Sequence, residues 1–578
     1  MPHATSRPQA GALVAFRFDR GNVSRVATLP LLVLGQLLTR VVPRTRGSWV
    51  FGCGSGVGEG ALALAQLVQR EHPEVDITWL TGSGSEDAAA AVVGLRHRRR
   101  SSLGGLLATA RAEVIVFTHG FGDVNRYAAN GAYVVQLWHG VPLKRIQLDS
   151  PVSLQLPGMS TPHSVQRMLA TAYRRQTSRI ALFPAASERV AARLRSAFGV
   201  GRAKVLVTGD PRDDCLAFTP DRDARACARL AVAVPGLPAG LVILYAPTWR
   251  DGAADPAIPS PADWPVIIDL LERIGATLLI RSHPHGSGDY AAGVQRSDRI
   301  RLLTPVDLVD VTTILPAVDQ LVTDFSSIAV DFALLARPIH FLAPDAAAYV
   351  AARGLYDHYP TIAGTYARSW PALVGMLGAA TNDPATRAAK VTASRRLVIR
   401  FIRFSDGRSS ERVLAAILHG IGADVPGRPR VVEPPQPAPT LTLVRDTGSR
   451  LVLSGHYCVY MPVTAVLRRE HYRSAVATHD STQASPEDRS IEGEIEGEVV
   501  VDGPTWVVTF ALVNDRWGDA DGLPSGSYEV VLQGPDGEDA GVEVRAELPA
   551  TVRDGNARRR YRSDRGTLVV EVGPARAR

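Results

Sequence analysis

The chain has 578 residues, 46% of them hydrophobic and 21% charged. That length exceeds a single compact core, and the balance suits a globular protein of two or three domains, excluding disordered, collagen-like and disulfide-scaffold classes. The net charge of +7 sits mostly at the start, where residues 1–50 carry seven arginines against one acid, Asp19. The remainder is close to neutral, which argues against nucleic acid as a partner.

Cys53, Cys215, Cys227 and Cys458 lie far apart with no CxxC pair. The spacing fits a reducing compartment and gives no zinc or iron–sulfur pattern. Lysine occurs only at Lys144, Lys204 and Lys390, so a single arginine is a weak signal in this chain.

Residues 1–47 form a basic and apolar segment. Its apolar core, Ala27–Leu38, has twelve residues, whereas a spanning helix needs about 20. No small-residue cleavage site follows, which argues against a signal peptide. Flanked by Arg40, Arg44 and Arg46, the stretch is suited to the headgroup layer of an anionic membrane, or to packing as a helix on the first domain. The first reading predicts a peripheral protein at the cytoplasmic face of the cell membrane.

From Ser48 onward, short apolar runs alternate with helical patterns, which predicts parallel α/β sheets. Strands are expected at Ser48–Phe51, Val75–Leu80, Val114–Thr118, Tyr133–Trp138, Ile180–Pro184 and Lys204–Thr208, with helices at Ala61–Arg70 and Ser187–Phe198. A second series runs through Leu241–Thr248, Ala276–Arg281, Arg301–Leu303, Gln320–Thr323 and Ile339–Leu342. Two such series predict two Rossmann-like domains facing a cleft, at 48–225 and 226–422. A proline-rich linker follows at 423–440. Residues 441–578 then show short strand patterns between Gly, Pro and Asp turns, predicting a sandwich-like all-β domain.

The turn Gly56-Val-Gly58-Glu-Gly60-Ala61 follows a strand and opens a helix, as in dinucleotide-binding folds, but a tight first turn needs glycines anyway. Its helix N-terminus offers a second use, holding a phosphate of another ligand. More telling are five polar clusters at strand ends, where open α/β sheets bind ligands. They are Gln136–Arg145, Gly209–Asp214, Tyr245–Asp251, Arg281–His285 and Thr323–Ser327.

Ser326 and Ser327 open a helix expected to run to about Ala336. Their hydroxyls, free N–H groups and the helix dipole suit a phosphate. Asp324 would repel a phosphate, so it is expected to orient the turn or a ribose hydroxyl. His139 and His283 are the proton-handling candidates, because histidine titrates nearest neutrality. Lys144, Trp138 and Gly140 share the first cluster with His139.

In order and spacing, QLWHGVPLKRI, GDPRDDCL, ILYAPTWRD, RSHP, VTDFSSIAVDFALLARPIHF, the run Arg353–Asp357 and SDGRSSERV resemble the CDP-glycerol glycerophosphotransferase family of teichoic-acid primases and polymerases, over roughly 48–420. The resemblance implies a glycosyltransferase-B type fold, with an acceptor-side domain and a CDP-donor domain. It implies that His139 is the base for the acceptor hydroxyl, and that His283 contacts the donor phosphates, with Ser326 and Ser327 on the pyrophosphate. Thr248, Asp324, Arg212, Arg250, Arg281 and Arg408 are further donor-side candidates, while Lys144, Trp138 and Gly140 fall on the acceptor side. The partners implied are a CDP-polyol donor and a lipid-linked or polymeric polyol-phosphate acceptor. No cofactor is expected; Mg²⁺ is compatible, but no carboxylate cage indicates it. The chain departs from the family pattern at Val141 and Gln147, where a hydroxyl residue and a glycine are usual, and at Ala363-Gly364, where a proline-glycine pair is usual. A nucleotide-sugar glycosyltransferase and a non-catalytic membrane-surface scaffold are the alternatives.

Overall fold

The computed structural model describes residues 41–154, 162–248, 250, 255–281 and 290–422, residues 35 and 39, and the backbone of strands between 440 and 574. The chain divides into two compact units, Met1–Pro426 and Gly427–Arg578.

The first unit holds two five-stranded parallel sheets of the same topology. In the first, β1 (Thr45–Gly52), β2 (Asp76–Thr81), β3 (His97–Arg99), β4 (Ala112–Phe117) and β5 (Tyr133–Gln136) are arranged in the order β3-β2-β1-β4-β5. A short parallel pair, β6 (Phe183–Ala185) and β7 (Val205–Val207), adjoins the β5 edge through a bridge between Val135 and Leu182. In the second sheet, β8 (Leu241–Ala246), β9 (Ala276–Ile280), β10 (Ile300–Leu302), β11 (Gln320–Thr323) and β12 (Ile339–Phe341) are arranged as β10-β9-β8-β11-β12.

The central strands read as apolar runs because helices cover both faces, and Trp49, Val50, Phe51, Ile243, Leu244 and Tyr245 are all buried. Full burial of such side chains contributes roughly 1.5–3 kcal/mol each. Helix Glu188–Phe198 shows how local chemistry sets the boundaries: Ser187 accepts the Val190 N–H at one end, and Gly199 turns left-handed (φ 62°) at the other. Strand β3 escapes the sequence pattern because its residues, His97-Arg98-Arg99, are polar and form an edge.

Two further differences from the sequence reading have physical causes. The helix after Ser327 spans only Ile328–Ala333, and Ala336 takes a left-handed turn (φ 50°) before Pro338. The last helix, Ser409–Gly420, was expected to belong with the second domain. Its apolar face (Val413, Leu414, Ile417, Leu418) instead packs into the core of the first sheet with Trp49, Leu64 and Val135. The chain therefore crosses back, so the two halves share a terminal element.

In the second unit the strands Thr440–Asp446, Arg450–His456, Thr464–Arg469, Glu494–Asp502, Thr505–Ala511, Gly526–Gln533, Ala557–Asp564 and Thr567–Pro574 pair mainly antiparallel. The linker and the apolar stretch Ala27–Leu38, Gly35 apart, lie outside the described residues. Among the described residues no helix is long and apolar enough to cross a membrane.

Candidate active site

In each sheet the strand order reverses between two neighbouring strands, β1/β4 and β8/β11, and ligand crevices form outside the carboxyl ends of strands at such points. The glycine turn after β1 does not present its helix to a phosphate. The Glu59 N–H at the helix start donates to Asp310 Oδ2 of the second half at 2.9 Å. A Cβ on Gly58 would come within 3.2 Å of Asp310 Cβ, and one on Gly60 within 3.2 Å of the Arg212 nitrogen. These glycines let the second half and the Gly209–Asp214 loop dock on the helix end. The glycines thus serve a tight, close-packed turn, as favoured over dinucleotide binding, and the alternative use of this helix end for a phosphate is corrected.

The chain leaves β5 through Leu137-Trp138-His139-Gly140. Trp138 (φ 67°) and Gly140 (φ 110°) both take left-handed backbone, at a cost of about 1–3 kcal/mol for the tryptophan. The Trp138 indole packs edge-on against Phe198 (centroids 5.2 Å apart, 81°) and lies 4.1 Å from the His139 ring. His139 also stacks on His119, with centroids 4.1 Å apart and planes 7° from parallel. Sequence reasoning missed His119; its position directly after β4, in Thr118-His119-Gly120, was the available signal.

Gly140 is where the two halves meet. A Cβ there would lie 2.9 Å from Ser327 Oγ and 3.2 Å from Arg212 Nη1. Of the expected site residues, His139, Gly140, Ser327 and Arg212 are therefore brought together. Ser326 Oγ accepts the Ile328 N–H at 3.4 Å, while Ser327 makes no side-chain cap. The capping role thus falls to the first serine and leaves the second hydroxyl facing Gly140.

The loop beyond Gly140 is stitched to the second half by backbone. Arg145 N–H donates to Gly354 O at 3.0 Å, and Tyr356 N–H to Leu143 O at 3.0 Å. Lys144 lies on this bridge, opposite Leu355. Arg193 donates to Pro142 O (2.7 Å) and pairs with Asp357, which also receives Arg400 at 2.7 Å. Tyr356 OH donates to Asp149 Oδ2 at 2.6 Å.

The arginines differ most from expectation. Arg250 grips both oxygens of Asp345 (2.8 and 2.9 Å) and reaches Asp324 Oδ2 at 3.0 Å. Burial pulls its pKa down, but the Asp345 hydrogen bonds and the Asp324 charge outweigh that and raise it. Asp324, in turn, accepts the Thr248 N–H at 2.8 Å, joining the ends of β8 and β11. Arg212 pairs with Asp331 (2.9 Å) and donates to Thr312 Oγ1 (3.0 Å). Arg281 donates to Val309 O at 2.9 Å, fixing the loop that carries Asp310. Arg408 is largely exposed and paired with Glu411 at 2.8 Å on its own helix. Arg250, Arg212 and Arg281 are thus engaged by carboxylates or carbonyls within the frame of the site, whereas Arg408 stands exposed. His283 and Trp249 lie outside the described residues.

Cys53, Glu59 and His119 place one potential metal donor each within 4.8 Å of one another. Cys53 is buried, and burial and the Glu59 charge push its thiol pKa up, while Thr118 Oγ1 bonds His119 Nδ1 at 2.7 Å.

Two doubly wound parallel sheets in one unit, with loops from both meeting at strand ends, define a glycosyltransferase-B-like α/β class. The chain belongs to the CDP-glycerol:poly(glycerophosphate) glycerophosphotransferase family, whose model matches residues 46–419. It is 28% identical over 294 residues to the teichoic acid poly(ribitol-phosphate) polymerase of Bacillus spizizenii, covering 50% of this chain and 43% of that protein. It is 29% identical over 228 residues to the poly(glycerol phosphate) polymerase of Staphylococcus epidermidis, covering 39% of this chain and 30% of that one. The chain thus spans less than half the length of these two relatives. The solved wall teichoic acid polymerase TagF superposes with a TM-score of 0.56 at 21% identity, over 71% of this chain and 99% of that one, a likeness of fold.

Proposed function

We propose that the chain transfers glycerol phosphate, or a related polyol phosphate, from a CDP-activated donor to a hydroxyl of a lipid-linked or polymeric acceptor, releasing CMP, in the synthesis of a teichoic-acid-like polymer. The observation that carries this reading is the meeting of His139-Gly140 with Ser327 across the two halves, in a chain of this family. His139 takes the proton of the acceptor hydroxyl, and the freed oxygen attacks the β-phosphorus in line. The new P–O bond forms as the bond to CMP breaks. The Ser326 and Ser327 hydroxyls, the N–H groups of their turn and His283 hold the pyrophosphate. Such a reaction is mainly positioning and charge stabilisation. No metal is needed in this scheme. The site works from the cytoplasmic face of the membrane, with the residues up to Arg40 as the contact, because Arg44 is held by the Thr109, Ala112 and Asn130 carbonyls and Thr45 already opens β1; the second unit is a β-sandwich-like accessory domain that binds polymer.

The test is CMP release by the purified protein with CDP-glycerol or CDP-ribitol and a lipid-linked glycerol-phosphate acceptor. Acceptor-dependent CMP from the wild type, lost in His139→Ala and retained in EDTA, is expected. No CMP from any of these donors would refute the transfer, and loss in EDTA reversed by Mg²⁺ would refute the metal-free scheme.

A further inference from the structure

Two imidazoles lie face to face at the centre of this site, and only one has a role in the scheme above. The His119 ring is held from several sides. Thr118 Oγ1 bonds its Nδ1 at 2.7 Å. Its backbone N–H donates to Asp123 Oδ2 at 2.7 Å, and that buried carboxylate also accepts the N–H of Thr118 (3.2 Å) and of Gly120 (3.4 Å). Gln136, on the strand that leads to His139, donates to the His119 carbonyl at 2.9 Å. The two histidine loops are thereby tied to each other as well as stacked. Room for the ring comes from the glycine turn, since a Cβ on Gly54 would lie 2.7 Å from His119 Cγ and Nδ1. That gives a second reason for glycines there, besides docking of the second half.

We propose that His119 is a positioning residue for His139: its stacked ring fixes the plane in which the His139 imidazole receives the acceptor proton. The inference rests on the reading of His139 as the base. Stacked aromatic rings hold a preferred offset and tilt, and a rigid neighbour removes rotamer freedom that the base would otherwise lose on reaching the transition state. The charge environment agrees. Asp123 lies 4.0 Å from His119 Nδ1, and Glu59 and Cys53 each have a donor atom within 4.8 Å of a His119 ring nitrogen. On the far side of Gly140 stands Arg212, already paired with Asp331. The Asp123 and Glu59 carboxylates both face His119, the supporting ring of the stack.

The experiment measures kcat and KM for the full chain with the donor and acceptor above. His119→Ala should lower kcat roughly 10- to 100-fold, the scale of a misplaced catalytic group, with donor KM within about twofold. His119→Phe keeps a ring in the stack and should recover most of that loss. In a His139→Ala background, His119→Ala should cost nothing further, because it acts only through His139. Gly54→Ala pushes on the same ring while leaving both histidines in the chain and should also lower kcat; it carries the test if His119→Ala fails to fold. Unchanged kcat in His119→Ala or Gly54→Ala, a rise in KM alone, or an additive loss in the double variant would overturn the positioning role while leaving the transfer reading intact. A wild type inactive with every donor would remove that reading and this inference together.

Discussion

Asp357 is the sharpest place to test how the two halves are held. Its carboxylate, 6% exposed, pairs with Arg193, with Arg400 at 2.7 Å and with Arg189 at 3.6 Å. Arg193 is itself 7% exposed at the side chain and also holds Pro142 O, three residues beyond His139. Asp357→Ala would leave the buried Arg193 charge without its partner. Breaking a buried pair from one side costs about 3–5 kcal/mol. Arg189 and Arg400, each 30% exposed at the side chain, can turn to solvent, so the lower end of that range is expected here. Urea unfolding followed by tryptophan fluorescence should show a loss of about 3 kcal/mol in the transition of the first unit at pH 7. Transfer activity should fall with it, because the Pro142 anchor loosens. Burial pushes the Asp357 carboxyl up, but the Arg400 hydrogen bond and the Arg193 charge outweigh that and hold it below the usual range. With the folded pKa depressed, the stabilisation is complete above the unfolded value of about 4. It is lost as pH falls through the folded pKa, so wild type and variant should converge in acid. A loss under about 1 kcal/mol at pH 7, or a difference that persists in acid, would refute the reasoning.

Gly140→Ala combines a left-handed φ of 110° with a Cβ 2.9 Å from Ser327 Oγ; activity should drop about 100-fold with the fold retained, as read by CMP release and circular dichroism. Asp214 accepts the Ser409 and Ser410 N–H groups at 2.8 and 2.7 Å. Asp214→Ala should therefore destabilise the closing helix by about 1–2 kcal/mol and speed proteolysis near residue 409; unchanged cleavage would count against that capping role. Burial pushes His340 down to about 3, and its Nε2 bonds Gln320 Oε1 at 2.9 Å. The unfolded state then takes up a proton that the native state does not, so stability falls as pH drops from about 6.5 towards 3. His340→Gln should flatten that slope in urea titrations at pH 4.5 and 7.5; equal slopes would refute the assignment.

The alternation of apolar runs with helical patterns makes both parallel sheets legible in the sequence, because strands covered on two faces must be apolar throughout. Boundaries were read to within a few residues where caps such as Ser187 and Gly199 mark them. Polar β3 was missed, since an edge strand need not carry the pattern. The family motifs likewise stood in the sequence, and with them His139, Ser326 and Ser327. Residue type alone says which atoms an arginine can offer, not which partner claims them. Arg250 and Arg212 read as phosphate ligands until Asp345, Asp324 and Asp331 were seen to occupy them. The same holds for the glycine turn, whose helix end is claimed by Asp310, 251 residues away in the chain. His119 gave only a strand-end position to go on. Its stack on His139 arises because β4 and β5 are neighbours in the sheet, and the last helix returns to the first sheet by burying its apolar face there, with Asp214 capping its start. Local periodicity and motif order are properties of consecutive residues, so the sequence by itself determined the class, the family resemblance and the chemistry on offer. Partnership between distant charges and rings depends on long-range packing, and only the tertiary structure decided which groups remain at the site and which hold its walls.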